Sequence, residues 1–151
     1  MISGDKVYYE DLELGAEIDI EPVVIDKQKM IDFAKEYDNI PIHTDEEYAK
    51  NTHFKKLIAP GVMAFMSVWS SYLKNDFCKD ALLAGQSTKI EWLKPVFAGD
   101  TLTAKAKITK LIERNEKNSI AEITIMVYNQ NNECVMKNVT ESVVKKKNYK
   151  K

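Results

Sequence analysis

The segment Asp38-Asn39-Ile40-Pro41-Ile42-His43 sets a carboxylate and an imidazole five residues apart, with a proline between them. On a straight helix that spacing turns the two away from each other, because residues sharing a face lie three or four apart. A proline-stiffened loop can instead direct both side chains at one point, and that point can hold a water. Histidine is the side chain that titrates nearest neutrality. A carboxylate beside it takes a proton from water or orients the ring, each positioned group contributing roughly 10²- to 10⁴-fold by general acid–base catalysis. The plainer alternative is that Asp38 caps a helix end and His43 is a satisfied core histidine. Gly61 is the second candidate. In the first turn of an apolar helix its N–H points out of the helix end, where unpaired donors and the helix dipole favour an oxygen becoming anionic. Here the plainer alternative is that helix and loop approach too closely for a side chain.

The elements that must carry these groups are readable from periodicity. Glu17 to Ile25 is short, apolar and rich in Ile and Val, as a strand is. Asp26 offers an N-cap to a helix over DKQKMIDFAKEY, with Met30, Ile31, Phe33, Ala34 and Tyr37 on its apolar side. Pro41 disfavours helix at Ile40, so the stretch from Tyr37 to Thr44 is expected to be a constrained loop. Thr44 with Glu47 is a capping box that starts a second short helix at Asp45. Pro60 is expected in the first turn of a helix over PGVMAFMSVWSSYLKNDF, which is apolar nearly all round and so should be enclosed by the fold.

Beyond that helix the period changes to two. Thr101 to Ile108 alternates strictly, and Ser119 to Tyr128 and Cys134 to Val144 are β-branched and apolar, separated by turn-like RNEKN and NQNNE. These three runs predict an antiparallel meander. Gly85 to Val96 adds one more strand, and Gly99-Asp100 turns the chain into the next. A long run of strands beside one apolar helix indicates an α+β architecture, a curved sheet wrapped round a central helix. Its uncovered edge and flank call for pairing with another copy.

Composition excludes several classes. At 151 residues, with 44% hydrophobic and 30% charged residues, the chain fits one globular domain. A net charge of -1 gives no bulk attraction for nucleic acid or an acidic membrane. The N-terminal MISGDKVYYEDLELG carries charges where a signal peptide is apolar, so cytoplasmic residence is expected. The longest uncharged run, Leu57 to Leu73, has 17 residues and is interrupted by Pro60 and Gly61, so no membrane span is expected. Cys78 and Cys134 lie far apart and are read as reduced. His43, His53 and Asp45 fit no zinc spacing, so no metal is expected. The folded domain is placed at residues 1–144, with 145–151 a basic tail that is solvated and frayed.

YDNIPIHTDEEYAKNTHF, then LIAPGVM, then KPVFAGDTL follow one another in order, after an opening YYEDLELGAEI. Together they resemble the MaoC-like dehydratase family, which includes the (R)-specific enoyl-CoA hydratases of the hotdog fold, from about Tyr8 to Val144. In that family the loop reads Gly-Asp-x-Asn-Pro-(Ile or Leu)-His-x-Asp, the helix begins Ala-His-Gly-Met, and a later strand ends Pro-Val-x-x-Gly-Asp. The resemblance implies that Asp38 and His43 hold and activate one water for addition to a 2-enoyl thioester, or receive it in dehydration. It implies that the Gly61 amide binds the thioester carbonyl, that no metal or redox cofactor takes part, coenzyme A entering only as part of the substrate, and that the chain forms a homodimer with the acyl tunnel between subunits.

The departures from the family pattern define further candidates. Ile40 stands where the family has Asn, Tyr37 where it has Gly, and Pro60 where His often precedes the helix glycine. Tyr37, Ile40, Pro60 and Phe65 are taken as substrate-binding candidates, beside the plainer reading of loop and core packing. Lys55 and Lys56 replace small residues and either meet coenzyme A phosphates or stand as solvated surface. Trp69, Trp92 and Tyr72 either line the acyl tunnel or belong to the core. Two other functions stay open: a hotdog thioesterase, in which a carboxylate activates water against the thioester carbonyl, and a silent acyl-CoA binding module.

Overall fold

A computed structural model describes residues 7–149. In chain order the elements are β1 (Glu17–Val24), α1 (Lys27–Tyr37), α2 (Pro41–Thr44), α3 (Glu46–Lys50), α4 (Gly61–Leu73), β2 (Leu82–Trp92), β3 (Thr101–Ile112), β4 (Asn118–Tyr128) and β5 (Cys134–Lys145). The strands form one antiparallel sheet ordered β1-β3-β4-β5-β2. The meander expected from the three late runs is its centre, and β1 and β2 are its two edges. Gly99 has φ +87 and Asp100 is buried, which makes the expected turn into β3.

Alternation places the core. Leu102, Ala104, Ala106 and Ile108 of β3 are buried and join Ile123, Ile125 and Val127 of β4 beneath Met63, Ala64, Phe65, Val68 and Tyr72 of α4. Each large apolar side chain so enclosed contributes about 1.5–3 kcal/mol as an upper figure. Strand β5 departs from this apolar pattern: Asn138, Thr140 and Ser142 are buried on it. Asn138 donates to Thr88 Oγ1 at 2.7 Å and to the Lys89 carbonyl at 3.0 Å, and accepts from Thr140 at 2.8 Å. These bonds fix the register of the edge strand β2, whose side chains are otherwise mostly exposed.

Four expectations need correction. Helix α4 is not enclosed all round: Val62, Met66 and Leu73 are exposed, because the sheet of one chain covers only one side of the helix. Strand β2 runs Leu82–Trp92 rather than 85–96; Leu93 and Lys94 both donate to the Val135 carbonyl, which ends the ladder before Pro95. Tyr37 is 69% exposed rather than on the apolar side of α1, where Met30 and Ala34 are buried. The basic tail is tied down: the Lys146 N–H donates to the Lys117 carbonyl at 2.8 Å and the Lys147 N–H to Glu10 Oε1 at 3.0 Å. Cys78 and Cys134 are free thiols. Among the described residues no helix is long and apolar enough to cross a membrane.

Candidate active site

Asp38 is where α1 stops. Asp26 caps the helix start, accepting from the Lys29 N–H at 2.9 Å, and the Asp38 N–H closes its last turn on the Ala34 carbonyl at 2.8 Å. With its backbone used there, the Asp38 side chain is free to leave the helix axis. Ile40 is extended at φ -120, ψ 149, the conformation a following proline imposes, and Pro41 opens a single helical turn. The expected loop is therefore three residues and one turn of helix, and that turn carries His43. The Thr44 hydroxyl bonds back to the Ile40 carbonyl at 3.3 Å, so the capping role falls one residue later than expected. Asp45, with non-helical dihedrals, accepts from the Tyr48 N–H at 3.1 Å and starts α3.

His43 is 6% exposed, and its Nδ1 lies 2.7 Å from the Ile58 carbonyl oxygen. A carbonyl only accepts, so the hydrogen-bond network assigns the proton to Nδ1 and leaves Nε2 to face the solvent side. Nε2 stands 3.3 Å from Asp38 Oδ2, whose side chain is 46% exposed. In the neutral tautomer both facing atoms are acceptors, so a proton, or the hydrogens of a water, must lie between them. Neighbouring backbone locks this arrangement: the Ile58 N–H donates to Ile42 at 3.3 Å, the Ala59 N–H to Val96 at 2.7 Å, and Ile58 bridges to Phe97. The segment leading into α4 is thus stitched both to the turn that holds His43 and to the chain after β2.

Pro60 is the N-cap of α4 rather than a first-turn residue, at φ -55, ψ 129, and Gly61 is the first helical residue. The Gly61 N–H is one of the four that a helix start leaves without an intrahelical acceptor. The glycine is required by contact: a Cβ there would lie 2.3 Å from Cε2 and 2.4 Å from Nε1 of Trp92. A cleft of about 430 Å³ brings Asp38, His43 and Gly61 together with Phe54, Ile58, Trp92, Leu93 and Val96. It has a polar end able to exchange protons with a water, a backbone donor, and walls that are apolar apart from Lys94, the composition expected of a site for a small organic ligand.

The other sequence candidates lie elsewhere. Tyr37 and Ile40 are exposed and Pro60 is buried, and none of the three lines the cleft. Phe65 is buried in the core and borders a separate cavity with Trp69 and Thr88. Lys55 takes φ +67 on the loop before α4, and Lys56 sits 4.6 Å over the Phe97 ring; neither reaches the cleft lining. Of the two readings open for Trp92, core or wall of a ligand site, core does not hold: it is 50% exposed and lines the cleft. The one signal for it is Pro95, which ends the strand just past it and leaves Trp92 as the last side chain on an edge.

Residues 11–130 match the MaoC-like domain family. The (R)-specific enoyl-CoA hydratase of Rhodospirillum rubrum is 31% identical over 108 residues, which is 70% of this chain and 72% of that protein. The monoamine oxidase regulatory protein of Archaeoglobus fulgidus superposes with a TM-score of 0.84 at 29% identity, over 97% of this chain and 99% of that one. The (R)-hydratase of Aeromonas caviae does so with a TM-score of 0.71 at 27% identity, over 91% and 98%. With the family matched along most of its length and a hotdog sheet curved on α4, the chain belongs to the MaoC-like dehydratase family.

Proposed function

We propose that the protein adds water reversibly to the double bond of a 2-enoyl thioester carried on coenzyme A or an acyl-carrier protein. The observation that carries this is the 3.3 Å approach of His43 Nε2 to Asp38 Oδ2 in the cleft that also holds Gly61. A water gripped between the carboxylate and Nε2 attacks the β carbon. As its oxygen bonds to carbon, the π pair of the double bond moves toward the α carbon and the thioester oxygen, and the water proton passes to the Asp38–His43 pair. The Gly61 N–H stabilises the enolate-like oxygen. One proton returned to the α carbon completes the addition of H and OH, and the reverse sequence is the dehydration. Proton transfer and positioning suffice, so no metal or redox cofactor is invoked, and coenzyme A takes part only as a piece of the substrate.

A homodimer is part of the same reading, since Val62, Met66, Leu83 and Leu93 are large apolar side chains left exposed on α4 and on or just after β2. The experiment is hydration of crotonyl-CoA and longer 2-enoyl thioesters, followed as loss of the conjugated double bond's absorbance. Asp38→Ala and His43→Ala should each lower the rate by roughly 10²- to 10⁴-fold. Release of free thiol without loss of the double bond would assign a thioesterase instead. Ligand binding with no product would assign a binding module.

A further inference from the structure

Trp92 closes β2 with its backbone fixed. It pairs with Met136, and the two residues after it both donate to the Val135 carbonyl, at 2.8 and 3.3 Å. Its indole, by contrast, is half exposed and rests on the first turn of α4, with Nε1 2.4 Å from the position a Cβ of Gly61 would take. Cα–Cβ bonds on a helix tilt toward its N-terminus. The indole therefore abuts the end of α4 from which the Gly61 N–H projects. Standard backbone geometry puts a residue's own nitrogen about 2.5 Å from its Cβ, so Nε1 lies within about 5 Å of the Gly61 nitrogen. One oxygen at roughly 2.9 Å from each of two donors spans up to about 5.8 Å between them. A single acceptor can take both N–H groups. The indole N–H only donates, and among the described residues no protein group accepts it. Gly61 and Trp92 both line the cleft that holds Asp38 and His43.

The geometry points to Trp92 as a further catalytic residue: its indole N–H is the second donor, beside the Gly61 amide, to the thioester oxygen as that oxygen takes on enolate charge. This rests on the hydration reading of the cleft. A second donor there explains why the edge strand ends in an exposed indole directly over the one glycine of the helix.

Trp92→Phe keeps a ring of similar bulk and removes the N–H. It should lower kcat/KM for crotonyl-CoA by about 10- to 100-fold, below the 10²- to 10³-fold measured for enclosed oxyanion donors because this indole is half exposed. The loss should fall on kcat, with KM moving by less than about threefold, since the bond strengthens as charge develops. Acetoacetyl-CoA bound to Trp92→Phe should show less enolate absorbance than on the unaltered protein, a readout that needs no turnover. An unchanged unfolding temperature for the variant excludes general damage. Trp92→Phe within about twofold of the unaltered enzyme, or a loss confined to KM, overturns the assignment while Asp38→Ala inactivity keeps the hydration reading intact. If the unaltered protein hydrates no enoyl thioester, the reading itself fails and the assignment falls with it.

Discussion

Gly61→Ala is the most discriminating single methyl that can be added to this protein. Its Cβ would stand 2.3, 2.4 and 2.7 Å from Cε2, Nε1 and Cζ2 of Trp92, separations at which something must move. Overpacking of this kind costs about 1–3 kcal/mol, and the low end applies because the indole is half exposed and can swing outward. Gly61 is the first residue of α4, where the interior preference for alanine over glycine applies only weakly. A net cost of about 1 kcal/mol should lower the unfolding temperature by about 2–4 °C. Activity should not be spared, because the relief displaces either the indole or the Gly61 amide from the oxygen they face. Displacement of the half-exposed indole should lower hydration of crotonyl-CoA by about 10- to 100-fold, as Trp92→Phe does. The deciding assay repeats the substitution in a Trp92→Ala background, where the methyl has room. There Gly61→Ala should add little further loss, giving a coupling of about 1–3 kcal/mol between the two positions. Equal loss in both backgrounds would show that the clash is not the cause, and an undiminished Gly61→Ala single variant would show that the close approach has no functional weight.

Two further substitutions probe the fold around the site. Asn138→Ala removes a buried donor to Thr88 and Lys89 and one of the two partners of the Thr140 hydroxyl, which keeps its bond with the Thr88 hydroxyl, so chemical denaturation should report a loss of roughly 1–3 kcal/mol; a change within about 0.5 kcal/mol would mean that the polar ladder does not hold β2. Asp76 is 7% exposed, and burial pushes its carboxyl above the ordinary 3.8 although the Cys78 and Lys79 N–H groups pull it down. A raised folded value means that the folded state holds the proton more tightly, so this stability is full below 3.8 and is lost as pH rises through the folded value. The neutral isostere Asp76→Asn should therefore gain on the unaltered protein in thermal unfolding run upward from about pH 4, and a difference that stays flat with pH would contradict this.

Much of this arrangement was legible from local chemistry. Alternation over Thr101 to Ile108 fixes which face of β3 is inside, and the Asp26 cap and the proline after Ile40 fix how the chain enters and leaves α1. The Asp38–His43 approach was legible for the same reason, since only four residues, one of them a rigid proline, separate the ends of that path. What failed was what depends on distant chain. Asn138, Thr140 and Ser142 stand buried on β5, and Asn138 bonds across to β2, which no period reveals. Tyr37 lies off the apolar side of α1 because spacing gives a helix face, not what the face meets. Trp92 reaches Gly61 across 31 residues of chain, and only the folded register of β2 on β5 brings them together.

Four groups of the cleft sit at or near the end of an element: Asp38 closes α1, His43 rides the single turn of α2, Gly61 begins α4 and Trp92 ends β2. Element ends are where backbone donors are unpaired and side chains leave the regular lattice. Such positions are ordinarily loose, but here each is held by backbone bonds to a neighbour: Asp38 to Ala34, His43 through Nδ1 to Ile58, Ile58 to Ile42, Ala59 to Val96, and Leu93 to Val135. The imidazole is thereby oriented by a carbonyl belonging to the segment that delivers Gly61, so a shift of α4 along its axis would turn His43 as it moved the amide. In the proposed hydration, proton transfer and oxyanion binding coincide in one transition state, and a shared backbone brace between their two sites is a physical means of keeping them in step.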